Sequence, residues 1–113
     1  MTGPSKELQT LKAEFFRAMA HPARIRLLEV LSENGEQSVQ ALQSGLALDQ
    51  PTVSQHLAKL RAHGVVISRK EGTTVLYALA DPRIADLLKV ARDILNRHLT
   101  GHRSLLHELR RLG

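Results

Sequence analysis

The sequence predicts a mainly α-helical chain carrying one small β-hairpin. Apolar residues recur at helical spacing along most of the chain, and the period drops to two only between residues 65 and 79. Pro22, Pro51 and Pro82 each stand where an apolar helical pattern begins, and proline suits a first helical turn. Aromatics make up only 3% of the residues, so Leu, Val, Ile and Ala must fill the core, which favours helix packed on helix.

Residues 1–4 read as a disordered lead and 5–113 as a single domain, since 113 residues suffice for one modest core and not for two. Ser5 can cap a first helix in which Leu8, Leu11, Phe15, Ala18 and Met19 follow helical spacing. His21-Pro22 ends it, with His21 placed to cap or bracket a second helix bearing Ile25, Leu28, Val30 and Leu31. Asn34-Gly35 is a turn signal, and Ser38 can cap a short third helix with Val39 and Leu42 that closes near Ser44-Gly45. Leu46 and Leu48 then tuck a turn under the core.

The fourth helix opens at Pro51. Its N-cap is Asp49 by capping chemistry or Gln50 by position, because the residue before proline is pushed out of the α region. Val53, Leu57 and Leu60 form its buried stripe, and Gly64 closes it. Val65–Lys70 is a β-branched strand, Glu71-Gly72 a turn and Thr73–Leu79 the returning strand. Asp81-Pro82 starts a long helix whose apolar stripe runs Ile84, Leu87, Leu88, Ala91, Ile94, Leu95, His98, Leu99. Thr100-Gly101 interrupts it, and Leu105, Leu106, Leu109 and Leu112 continue the pattern to the end.

That order of elements is a winged helix-turn-helix, with residues 38–64 as the helix-turn-helix and 65–79 as the wing. The stripes of helices 5–20 and 81–112 exceed what one small core can use, so these helices are expected to form a homodimer interface. On the fourth helix Thr52, Ser54, Gln55 and Lys59 lie opposite the apolar stripe. A small, polar, acid-poor face suits a groove of base edges and phosphates, and glutamine can bond adenine bidentately. His56 lies between the two faces and is read equally as a phosphate contact or a half-buried brace. Arg69 and Lys70 at the hairpin tip can reach phosphates or the minor groove. The formal net charge of +5 points the same way.

Three segments carry a family likeness: Ala20-His21-Pro22-Ala23-Arg24-Ile25-Arg26-Leu27-Leu28, the run from Thr52 to Val66 with its Ser54-Gln55-His56-Leu57 core, and Val75-Leu76-Tyr77-Ala78-Leu79 at the end of the wing. In this order they resemble the ArsR/SmtB family of bacterial transcriptional repressors over roughly residues 8–99. The resemblance implies a homodimeric winged helix that binds a palindromic double-stranded operator and is released by an inducer, a small-molecule effector included. It places DNA contacts on Thr52, Ser54, Gln55, His56 and Lys59, with wing contacts near Arg69 and Lys70.

The chain departs from that family in its sensing chemistry. Members of the family often carry a cysteine pair ahead of the reading helix, where this chain has Ser38-Val39-Gln40-Ala41-Leu42, and it has no cysteine anywhere. Others use Asp-x-His with His-x-x-Glu on the dimerisation helix, where Asp81-Pro82-Arg83, Ile94 and Arg97 cannot complete a ligand set. His98, His102 and His107 offer imidazoles at a spacing that could bind zinc, nickel or cobalt, but Gly101 disturbs the helical register between the first two. The expectation is therefore no metal and no cofactor.

The absence of cysteine also excludes disulfides and thiol redox sensing. No glycine-rich phosphate loop and no placed nucleophile–base set supports an enzyme. No apolar run reaches the ~20 residues of a membrane span, and the first five residues have no signal-peptide pattern, so a cytoplasmic protein is expected. Two alternatives stay open: a winged helix that binds protein partners and not DNA, and a repressor with a histidine metal site.

Overall fold

The computed structural model describes residues 5–99 and 103–112, with side chains described for 5–99 and 107–112. The element order is α1 (Lys6–Met19), α2 (Pro22–Asn34), β1 (Gln37–Ser38), α3 (Val39–Ser44), α4 (Gln50–Ala62), β2 (Val66–Glu71), β3 (Thr74–Leu79), α5 (Arg83–His98) and α6 (Arg103–Leu112). The expected lead at 1–4, the Thr100-Gly101 interruption and His102 lie outside the described residues. Among the described residues no helix is long and apolar enough to cross a membrane.

Helix starts are set by local capping chemistry. Ser5 Oγ accepts from the Leu8 N–H at 3.0 Å, and Ser38 Oγ accepts from the Ala41 N–H at 3.2 Å. The His21 Nδ1 lone pair accepts from the Ala23 N–H at 3.0 Å and caps α2 ahead of Pro22. Asp49, not Gln50, caps α4, since its carboxylate accepts from the Thr52 N–H. Such caps typically stabilise a helix by ~1 kcal/mol. Before α5, Asp81 accepts from the Arg83 N–H at 2.8 Å and from the Arg83 guanidinium at 2.7 Å. Those bonds, the guanidinium's first, hold the Asp81 carboxyl down at about 2.

The core gathers one face from each element. Leu27, Leu28 and Leu31 of α2, Leu42 of α3, and Val53, Leu57 and Leu60 of α4 are buried, joined by Ala18 and Met19 of α1, Val65, Val66 and Ile84. At ~2–3 kcal/mol for each fully buried leucine, this aliphatic set is the main stabilising term. The α2 stripe differs from the expected one: Leu27 is buried, whereas Ile25 is exposed and Val30 only half-buried. The three leucines fall at the spacing of one helical face, and Ile25 lies off it.

Among the described residues the sheet has three strands and not two. β3 sits between β2 and β1, all antiparallel, with Val66 opposite Leu79, Arg69 opposite Leu76, and Leu76 in turn opposite Ser38. The strands are displaced by one residue from the expected bounds. The loop is Gly72-Thr73, because Glu71 still pairs with Thr74. Gly72 has φ +64° and takes the first loop position, where glycine meets no steric penalty.

Candidate nucleic-acid interface

α4 is held by its inner face and its two ends. Val53, Leu57 and Leu60 are each fully buried, at 0% exposure, which fixes the helix's rotation about its own axis. At its C-terminus the Gly64 N–H donates to Arg61 O at 3.1 Å and the Val65 N–H donates to Leu60 O at 2.9 Å. This bond pair requires a left-handed residue between helix and strand, and Gly64 supplies it at φ +71°. The chain therefore passes from α4 to the wing through two bonds and no free linker.

Rotation fixed in this way turns Gln55 and Lys59 outward, both exposed, with Ser54 half-buried beside them. Among the described residues none of the three is hydrogen-bonded through its side chain or ion-paired. Thr52 is placed differently. Its hydroxyl donates to Asp49 Oδ1 at 2.5 Å, so its one proton serves the cap. The same bond holds the Asp49 carboxyl below its ordinary range.

His56 stands at the border of the two faces. It is half-buried, and its ring lies against that of His21, with centroids 4.6 Å apart and planes tilted by 46°. Burial, and then the proximity of His21 and Arg24, push the imidazole below its ordinary value and favour the neutral ring. The start of α2 is thereby tied to the middle of α4.

The two wing cations point to opposite sides. Val66, Ser68 and Lys70 share the face on which Val66 is buried, while Ile67, Arg69 and Glu71 share the outer face, on which Ile67 is 56% exposed. Lys70 is exposed and makes no ion pair among the described residues. Arg69 is engaged through two of its three guanidinium nitrogens: its Nε donates to Glu36 Oε2 at 2.7 Å, and its Nη2 donates to Glu36 Oε1 at 2.6 Å and to Glu71 Oε2 at 3.1 Å. The Glu36 carboxyl is held below its usual range by the Arg69 hydrogen bonds. Glu36 was not legible as a functional residue, because it lies 33 positions from Arg69 and carries no local motif.

His98 is exposed at the end of α5, His107 is exposed on α6, and His102 is outside the described residues. Among the described residues no group of three or more His, Cys, Asp or Glu side chains could hold a metal ion.

Comparison with known proteins agrees with this architecture. A helix-turn-helix domain model matches residues 19–69. The chain is 45% identical over 109 residues to the HTH-type transcriptional regulator Rv0081 of Mycobacterium tuberculosis, covering 96% of each. The crystal structure of Rv0081 superposes with a TM-score of 0.78 at 48% identity, over 86% of this chain and 97% of that one. A homodimeric winged helix-turn-helix DNA-binding domain from Mycobacterium bovis, described as a possible ArsR-family regulator, gives a TM-score of 0.78 at 30% identity, over 90% and 96% of the two chains. The repressor SmtB of Mycobacterium tuberculosis is 40% identical over 85 residues, spanning 75% of this chain and 62% of that protein. These relatives are regulators and not enzymes, and the chain belongs to the ArsR/SmtB family of winged helix-turn-helix transcriptional regulators.

Proposed function

We propose that the protein is a transcriptional repressor that binds an inverted-repeat operator as a homodimer, with α4 in the major groove and the wing against the flanking backbone. One observation carries this reading. The apolar side of α4 is completely buried while Gln55 and Lys59 face solvent with no partner among the described residues. Gln55 and Ser54 read base edges, and Lys59 and Lys70 supply phosphate contacts that do not depend on sequence. Thr52 and His56 serve the helix from within, one through the cap and the other through the His21 ring.

The dimer reading is supported by apolar surface that the single chain leaves uncovered. Leu87, Val90 and Ile94 follow one another along α5 at helical spacing and are 36%, 54% and 64% exposed. Leu11 and Phe16 of α1 are 63% and 56% exposed. A two-fold axis through these helices would set two copies of α4 in successive major grooves, about one turn or ~34 Å apart.

A fluorescence-anisotropy titration tests the proposal, using the DNA upstream of the protein's own gene, a scrambled duplex and a series of salt concentrations. Specific binding should exceed scrambled binding by about a thousandfold or more at physiological salt. Gln55→Ala should erode discrimination at one or two operator positions by about 1–3 kcal/mol each. Lys70→Ala should weaken binding to both duplexes and lower the salt slope by about one. Equal affinity for the operator and the scrambled duplex would overturn the reading.

A further inference from the structure

We propose that Arg69 serves DNA binding as a positioning residue: its guanidinium straps the wing to the Glu36 carboxylate across the outer face of the sheet and does not itself meet phosphate. The inference rests on the DNA-binding reading above and assigns Arg69 a different part in it.

The wing needs such a strap. Only two residues of β1 flank it, pairing with Tyr77 and Leu76, so the sheet is three-stranded only at its base. Beyond that point Lys70–Val75 and Glu71–Thr74 form a bare two-stranded ribbon, a structure only marginally stable in water. Arg69 sits opposite Leu76 in the last rung that still has a third strand, immediately before the bare ribbon begins. Its side chain reaches back over β3 to Glu36, which lies between the end of α2 and β1. The contact therefore ties the outer strand to the junction of the helical body with the sheet.

Charge and geometry separate this role from phosphate binding. Both ends of the guanidinium fork that face Glu36 are used, and Nη2 also donates to Glu71. One cation between two carboxylates makes a cluster of net charge −1, which repels a phosphate. Lys70, the next residue, faces the other side without an ion partner among the described residues and is the wing's available cation. A planar bidentate fork is also something lysine cannot reproduce, which gives the two roles different mutational signatures.

The test measures operator affinity and salt slope for the full-length protein and three variants, with thermal melting as a check on folding. Arg69→Lys keeps the charge and loses the fork, and it should weaken operator binding about threefold or more at the wild-type salt slope. Glu36→Gln removes an acid from the DNA-facing region, which by charge alone would tighten binding; a strap predicts weakening of similar size. The charge swap Glu36→Arg with Arg69→Glu should restore affinity to within about twofold of wild type, because the net charge is unchanged and the pair is rebuilt. A direct phosphate role for Arg69 predicts the opposite on every arm. Arg69→Lys would bind like wild type, Glu36→Gln would bind more tightly, and the swap would lose about one unit of salt slope. Those results with a wild-type protein that still prefers its operator would overturn the strap alone; a wild-type protein with no preference would remove the DNA-binding reading itself.

Discussion

α4 and α5 are both amphipathic, but they spend their apolar residues differently. On α4 the stripe Val53, Leu57, Leu60 is completely enclosed by the chain's own elements. On α5 only Ile84 is buried and Leu88 is packed against the core at partial exposure, while Leu87, Val90, Ile94 and Leu95 remain 36–64% exposed. The difference separates two requirements that one sequence must meet. α4 is fixed within a single chain, so its polar face is presented whether or not a partner is bound. The face of α5 is left open by the described residues, and its helical spacing of large aliphatics suits a second copy of the same face.

Truncating Leu57 attacks the enclosed half of that contrast. Leu57→Ala removes a fully buried side chain and leaves a cavity in the core. The expected loss is about 2–5 kcal/mol of unfolding free energy, read from the urea midpoint by circular dichroism. Loss of operator binding should follow from unfolding, with no change in specificity while the protein remains folded. A loss under ~1 kcal/mol would mean that the stripe is not the clamp its burial indicates.

Charging Ile94 attacks the other half. Ile94→Asp places a carboxylate at a position 64% exposed in the single chain, so the chain's own core is untouched. Across a two-fold axis the substitution appears twice and sets two desolvated acids against apolar surface. Dimer dissociation should increase by at least about thirtyfold, measured by sedimentation, while the melted amplitude of helix stays that of a folded monomer. Operator affinity should fall to that of a half-site. If Ile94→Asp left the sedimentation unchanged, the dimer face would have to be sought on α1 or α6.

The same contrast explains how much could be read from the residues alone. Caps at Ser5 and Ser38, the glycine closure after α4 and the Val53/Leu57/Leu60 stripe depend on neighbours within one or two turns, and such neighbours are visible in a linear pattern; the choice of Asp49 over Gln50 as the α4 cap is not. β1 is not visible in that way. Gln37-Ser38 is too short to show a period of two and is a strand only because Tyr77 and Leu76 lie beside it. The exchange of Ile25 for Leu27 in the α2 stripe has the same origin, since a run with Ile25, Leu27, Leu28, Val30 and Leu31 offers two overlapping faces. Only the packing of α4 and α5 against one of them decides which is buried. At the interface, the exposure of Gln55 and Lys59 follows from the helical wheel. The commitments of Thr52 to its cap, His56 to His21 and Arg69 to Glu36 do not. The latter two join positions 35 and 33 residues apart, and side chains so separated are brought together by topology alone.

His56 offers the finest test, because it lies on the boundary between the enclosed and presented faces of α4. Burial is the first cause of its lowered value, followed by His21, which caps α2, and Arg24, which projects from the same helix. These are the charged and titratable groups that bear on the ring, and each disfavours its cationic form. The folded state therefore binds a proton at His56 less readily than the unfolded chain, whose imidazole keeps its ordinary value near 6.5. Stability from this group is fully present above the unfolded value and is lost as pH falls below it towards the folded value. Wild-type protein should melt at a lower temperature at pH 5 than at pH 7.5, and His56→Gln should show a smaller difference between the two. Direct phosphate contact would give a different sign in the complex: a protonated His56 would tighten DNA binding at low pH, and His56→Gln would abolish that gain. Operator affinity measured at the two pH values, under matched salt, therefore decides whether this residue belongs to the half of α4 that the chain keeps for itself or to the half it presents.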